Sequence, residues 1–301
     1  VQRTLFEVFR EHNDKCVQLS GTDMAPATVQ RYETSLKHTR DFVWETYHKK
    51  DVLLDEVSRQ FIEDYEFWLK TEKKCCHNTA TKYLKNFKKI TRIALAKGWM
   101  KNDPFLEIRF SLDKVEPDFL EDSEIQKLIS KEIDIPRLSQ VRDIFVFCCF
   151  TGLAFSDIHG LRKEHIVEDS NGVRWIRKGR QKTKIMCNIP LIEIPLKILE
   201  KYSTNEYCKK HGVLFPVLCN QKMNAYLKEL ADICGIKKTL TTHVGRHTFA
   251  TFALANGVSI ESVAKMLGHT NVQMTRHYAR VLDRTVIREM SQIKMDLHFS
   301  M

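Results

Sequence analysis

Four side chains in the last third of this sequence have the types and spacing to work on a phosphate together: His243, Arg246, His269 and Tyr278. His243 and Arg246 stand three apart in His243-Val-Gly-Arg-His247, so a helix puts them on one face. A guanidinium holds two phosphoryl oxygens through its planar fork, which an ammonium cannot match. An imidazole exchanges a proton near neutral pH, so His243 can accept a proton or bind an oxygen, and His269 can donate to the phosphate. A phenol, with an ordinary pKa of about 10, attacks only when cations or a base help it ionise. Tyr278 lies inside the basic string Arg276-His277-Tyr278-Ala279-Arg280. Nucleophilic attack on a phosphate is the chemistry this set suggests, although each residue alone is more often a surface histidine or a core tyrosine.

The local sequence supplies the elements that would position these groups. Thr241 and Thr242 can cap a helix that runs to Ala255 and stops at Asn256-Gly257. Ser259 opens a short helix that Gly268 ends, leaving His269 just past the stop. Upstream, Glu121-Asp122-Ser123-Glu124 is an acidic helix start, and Val141–Phe150 reads as a buried helix ending at Thr151-Gly152. Val173–Arg177 and Ile185–Pro190 alternate like two strands, with the basic turn Lys178–Lys184 between them. Helices are expected at about 194–203, 221–234, 243–256, 260–267, 271–279 and 283–296.

Residues 1–103 read as four helices, the fold of a separate domain. Leu5, Val8, Phe9 and Cys16 repeat at helical spacing, and Val29, Tyr32, Leu36 and Val43 form a stripe behind Pro26. Ser58 can cap the third helix and Asn78 the fourth, in which Tyr83, Leu84, Phe87, Ile90 and Ala94 face inward. Residues 104–120, with Pro104 and Pro117 and no period, are expected to be an extended linker before a second domain at 121–301.

With 48 Lys and Arg against 38 Asp and Glu, the net charge is +10, which favours an anionic partner. The excess is concentrated: from Lys70 to Lys101 there are ten basic residues and one acid, Glu72. Lys82, Lys85, Lys88, Lys89 and Arg92 fall on the polar side of the fourth helix and are expected to face DNA phosphates. Nine cysteines without a C-x-x-C pair argue against a zinc ribbon or a secreted disulfide scaffold and for a reducing cytoplasm. No apolar run reaches spanning length, so no membrane partner is expected. The first residue is Val1, which suits a piece of a longer protein.

His-x-x-Arg, then Leu-Gly-His, then a Tyr nine residues on resembles the active-site signature of the tyrosine recombinases of the phage-integrase type. The resemblance spans about residues 4–297. It implies a mainly α protein: an N-terminal helical core-binding (SAM-like) domain and a mostly helical catalytic domain with a small β-sheet. It further implies a C-shaped clamp on double-stranded DNA, and strand cleavage through a 3′-phosphotyrosyl intermediate with no metal and no other cofactor. Family members act as homotetramers on two duplexes and are monomers or weak oligomers without DNA. The helix at Asp283–Asp296 can dock on a neighbour or pack on its own domain. Full-length members often carry an N-terminal arm-binding domain, which is not evident here. A bacterial cytoplasmic location is the corresponding expectation.

The resemblance assigns further residues. Lys182 matches the β-hairpin lysine that protonates the leaving 5′-oxygen, with Lys178 and Lys184 as rivals. Asp157 matches the acid that organises the site. In Thr151-Gly-Leu-Ala-Phe-Ser-Asp157, however, Ala154 stands where the family usually has its first phosphate-binding arginine. Loss of such a clamp costs several kcal/mol of transition-state stabilisation, so a substitute is expected. Arg142 is the first candidate and Arg180 the second, each with a structural role in an Arg–Asp pair as its alternative. The same Ala-bearing string resembles integrases of Bacteroidetes-type conjugative or mobilisable transposons, which implies integration or excision of a mobile element. Two other readings remain: a DNA-binding member impaired by Ala154, and a metal-dependent phosphodiesterase using His243 and His247, which are spaced like two zinc ligands on a helix but lack an evident third.

Overall fold

A computed structural model describes residues 2–279. The chain divides into two compact units, 1–115 and 116–301. The expected helix at 283–296, and Arg280, lie outside the described residues.

The first unit contains α1 (Leu5–Gln18), α2 (Pro26–Tyr47), α3 (Arg59–Thr71) and α4 (His77–Ala96). Their starts follow local chemistry. Thr4 and Glu7 close a capping box on α1, Pro26 occupies the first position of α2, and Ser58 accepts the Phe61 amide on α3. On α4 the cap is Cys76, not Asn78. Asn78 is already in the first helical turn, and its side-chain amide instead holds the Asp113 backbone at both N–H (2.8 Å) and C=O (3.0 Å). The apolar stripes of the four helices meet in an aromatic core, with Phe61 at 5.1 Å from Phe42 and 5.9 Å from Phe87, centroid to centroid. Truncating a wholly buried ring such as Phe87 to alanine costs about 3–5 kcal/mol.

Residues 104–120 contain no regular helix or strand, yet both ends are anchored. Phe105 is fully buried against Phe87 in the first core. Leu120 is buried in the second unit, where its amide donates to Thr248 Oγ1 at 2.9 Å.

The second unit runs α5 (Asp122–Ser130), α6 (Pro136–Thr151), α7 (Phe155–His159), β1 (Ile166–Glu168), β2 (Arg174–Gly179), β3 (Met186–Pro190), α8 (Glu193–Tyr202), α9 (Glu206–His211), α10 (Asn220–Ile233), α11 (Thr242–Ala255), α12 (Ile260–Leu267) and α13 (Gln273–Ala279). The second half of α6, Ile144–Phe150, is apolar on every side and buried throughout. Helix α11 packs closely on it because Gly245 has no side chain: a Cβ there would lie 3.2 Å from the Phe145 ring and 3.3 Å from Cys148. The strands form an antiparallel sheet in the order β1-β2-β3, with Ile176 opposite both Ile166 and Ile189. Ile176, Cys187 and Ile189 are buried, and the alternate residues face outward. Strand β1 and helix α9 were not anticipated, since three and six residues are too short for a period to register.

Candidate active site

Helix α11 carries His243, Arg246 and His247. Its start is fixed by Thr241, whose hydroxyl accepts the Val244 amide at 3.4 Å. Arg246 is 3 % exposed, and its two terminal nitrogens donate to Gly152 O and Leu267 O, each at 2.7 Å. Those carbonyls belong to the C-terminal ends of α6 and α12, where the partial negative charge favours a cation. Burial, and then the nearby Arg180 charge, lower the Arg246 pKa to about 10, which leaves it cationic at neutral pH.

Two left-handed glycines shape the pocket. Gly152 (φ +67°) ends α6 and Gly268 (φ +60°) ends α12, turning the chain so that His269 follows at once. His269 Nδ1 is 2.8 Å from Oγ1 of the fully buried Thr275. Burial, Arg246 and Arg180 lower its pKa to about 4, so the ring is neutral at physiological pH. Helix α13 then presents Tyr278, 7 % exposed, whose pKa is raised by burial against the opposing pull of Arg246 and Arg180.

The imidazole in contact with the phenol is His247, with Nδ1 2.9 Å from Tyr278 Oη. His243, expected as a possible proton acceptor, stacks edge-on against His247 with centroids 4.2 Å apart. Its pKa is lowered by desolvation and then by Arg246, Arg180 and Lys182. In the sequence His247 stands out only as a possible metal ligand. The i, i+4 spacing from His243 was the signal that both rings share one face.

The β2–β3 hairpin closes the other side. Asp157, 2 % exposed on α7, accepts the Gln181 amide at 2.8 Å and faces Arg180 Nε at 3.5 Å. The Arg180 side chain lies against Gly268, where an added Cβ would sit 2.7 Å from its Cδ. Its charge perturbs His243, Arg246, His269 and Tyr278, so it belongs to this cluster. Arg180 Nε is buried without a hydrogen-bond partner. Lys182, at the exposed tip of the turn, is near enough to act on His243. Lys178 is held elsewhere, donating to Gly160 O at 2.9 Å, and Lys184 is exposed with φ at +60°.

Arg142 is not brought to this cluster. Its guanidinium donates to Lys131 O at 2.7 Å and to Asp143 Oδ1 at 3.1 Å, at the corner between α5 and α6. Asp143, which also accepts from Lys201 and Tyr202, captures it one residue away. The alternative of a structural Arg–Asp pair therefore describes Arg142.

In the first unit, Lys82, Lys85, Lys89 and Arg92 are exposed on α4 and Lys88 is half-buried. Among the described residues none of the five is in a salt bridge. Several lie over aromatic rings instead: Lys88 is 5.4 Å from the Phe105 centroid, and Lys89 is 4.8 Å from that of Tyr32. Among the described residues no group of three or more His, Cys, Asp or Glu is placed to hold a metal ion, and no helix is long and apolar enough to cross a membrane.

Residues 4–114 match the phage integrase SAM-like domain, and residues 118–285 match the phage integrase family. A tyrosine recombinase of Pseudothermotoga lettingae is 29 % identical over 265 residues, covering 85 % of this chain and 88 % of that protein. The Tn1549 transposon integrase, solved with a circular intermediate DNA, superposes with a TM-score of 0.72 at 16 % identity, over 96 % of this chain and 99 % of that one. A lambda integrase tetramer bound to a Holliday junction gives 0.72 at 17 % identity, over 99 % of this chain and 81 % of that one. These two likenesses concern the fold. With its second unit matched along almost its whole described length and its site built on the signature residues, the chain belongs to the phage integrase family, as a tyrosine site-specific recombinase.

Proposed function

We propose that this enzyme cleaves and rejoins double-stranded DNA through a 3′-phosphotyrosyl bond on Tyr278, in the integration or excision of a mobile element. The observation that carries the reading is the convergence of His247, the buried guanidinium of Arg246 and the hairpin cation Arg180 on the Tyr278 phenol, with His243 and His269 near the same two guanidinium groups. Arg246 neutralises charge on the phosphoryl oxygens. His243 and His269 bind those oxygens, and the neutral ring of His269 keeps one N–H for the purpose when Thr275 donates to its Nδ1. Lys182 protonates the leaving 5′-oxygen. Asp157 holds the hairpin that carries it. Because the bond energy of the phosphodiester is kept in the tyrosyl link, rejoining needs no nucleotide.

Arg180 takes the part of the arginine missing at Ala154, which its place beside Asp157 supports. On this reading the enzyme is not impaired by Ala154, since the second guanidinium comes from the hairpin. The mobile-element role and the kinship with Bacteroidetes-type elements rest on the resemblance of the Ala-bearing turn Thr151–Asp157. The α4 lysines give sequence-independent affinity for the duplex, and assembly as a tetramer on two duplexes follows the family pattern.

The test is a nicked suicide duplex whose core sequence is first selected from a randomised pool by covalent capture on the wild-type protein. Tyr278→Phe removes only the nucleophilic oxygen, so it should bind the selected duplex normally and form no adduct. Adducts that persist in Tyr278→Phe would overturn the assignment.

A further inference from the structure

Tyr278 Oη makes one hydrogen bond among the described residues, and its partner is a residue given no role above. His247 follows Arg246 directly, its ring centroid 5.3 Å from that of Tyr278, and its Nδ1 2.9 Å from the oxygen. That is within the reach a general base needs before any substrate enters.

We propose that His247 is the general base of strand cleavage, accepting at Nδ1 the proton of Tyr278 Oη. The inference rests on the phosphotyrosyl reading. In the step, the electron pair of the phenolic O–H bond stays on Oη and becomes the new Oη–P bond. The P–O5′ bond breaks, its electrons leave with the 5′-oxygen, and Lys182 supplies the proton that makes the 5′-hydroxyl. The phenolic proton resides on the His247 imidazolium. Rejoining reverses each transfer: the 5′-hydroxyl returns its proton to the lysine, attacks phosphorus, and Oη recovers its proton from His247.

The surroundings suit this use. His247 is faced by His243 and Arg246 from its own helix and by His277 and Tyr278 from α13. Burial first, and then the two histidines and the arginine, hold its pKa down to about 4. The ring is therefore neutral and free to accept a proton at physiological pH. The Arg246 charge opposes an imidazolium in the empty site, and the negative charge of an entering phosphate offsets that opposition. Proton transfer is thereby favoured only when DNA is bound.

The decisive pair of variants is His247→Ala and His247→Asn, assayed on the captured duplex. An Asn Oδ1 stands close to the position of Nδ1 and still accepts a hydrogen bond, but it is no base. A base role predicts that both variants lose about 10²–10⁴ in adduct formation with DNA affinity unchanged. A 5′-bridging phosphorothiolate duplex, whose thiolate leaves without an acid, should then rescue Lys182→Ala and fail to rescue either His247 variant. Adduct formation by His247→Asn within about threefold of wild type would overturn the proposal, because a propped phenol would suffice. Should both variants misfold, the ¹⁵N resonances of His247 in the wild-type protein decide. An unprotonated Nδ1 with Nε2–H supports the base, and an Nδ1–H tautomer overturns it. Absence of any wild-type adduct from the pool would instead sink the phosphotyrosyl reading itself, whatever His247 does.

Discussion

Arg180 Nε lies 3.5 Å from Asp157 Oδ2, so a guanidinium carried on the hairpin meets the carboxylate one turn beyond Ala154. If this cation replaces the missing phosphate clamp, Arg180→Ala should slow cleavage by roughly 10²–10³, the loss typical of one preorganised oxyanion donor. Arg180→Lys should recover only part of it, because an ammonium lacks the planar fork. Single-turnover cleavage on the captured duplex measures both. A wild-type rate in folded Arg180→Ala would remove Arg180 from the chemistry.

Arg142 should behave in the opposite way. Its bonds to Lys131 O and Asp143 tie α5 to α6, and its removal leaves Asp143 with Lys201 and Tyr202 alone. Arg142→Ala should cost about 1–3 kcal/mol, seen as a lower melting temperature. Its cleavage rate below the transition should stay near wild type. A large rate loss with an unchanged melting temperature would restore it as a catalytic candidate.

The cations of α4 predict a salt dependence. Each phosphate contact contributes about −0.9 to the slope of log affinity against log salt on duplex DNA. Neutralising Lys85, Lys88 and Lys89 together should flatten that slope by up to about three such increments, with little change in sequence preference. Titrations between low and moderate salt give the slope directly, and an unaltered slope would mean that this face does not meet DNA.

Acid should destabilise the second unit through its neutral histidines. In the unfolded chain His247 and His269 take up protons below about 6.5, whereas folded they resist until about 4. Between those values the unfolded state holds more protons. Stability is therefore complete above pH 6.5 and falls as the pH drops toward 4. Both rings are only partly buried, so a loss of about 1 kcal/mol each is expected by pH 5 after solvent screening. Urea midpoints at pH 7 and pH 5 measure the loss, and His247→Phe with His269→Phe should reduce the difference. An equal shift in the double variant would assign the effect to other groups.

The sequence made the long helices legible because their stripes are regular. Val8, Phe9, Leu36, Phe61, Leu84 and Phe87, spaced by helical turns, are all buried. Thr241 and Ser58, whose side chains accept the amides expected of caps, were legible for the same local reason. Asn78 misled because its amide finds the backbone of residue 113, far along the chain. Arg142 misled because proximity in sequence to the Thr151–Asp157 turn is not proximity in space once Asp143 holds its side chain. His247 was hidden by its neighbour, since a residue next to an arginine carries no sign of which ring will meet a tyrosine thirty-one positions later.

The hairpin has a consequence for control. It bears Arg180, held against Asp157 and Gly268, and two residues on it bears Lys182 at an exposed tip. In a recombinase with its first arginine on the helix turn, a displaced hairpin removes only the acid. If Arg180 is the clamp and Lys182 the acid, as proposed, a single displacement would remove both together, and penalties of two independent kinds multiply. On the proposed tetramer, a protomer with its hairpin out would then be silent rather than slow, and one loop would suffice to enforce turn-taking without a second lock.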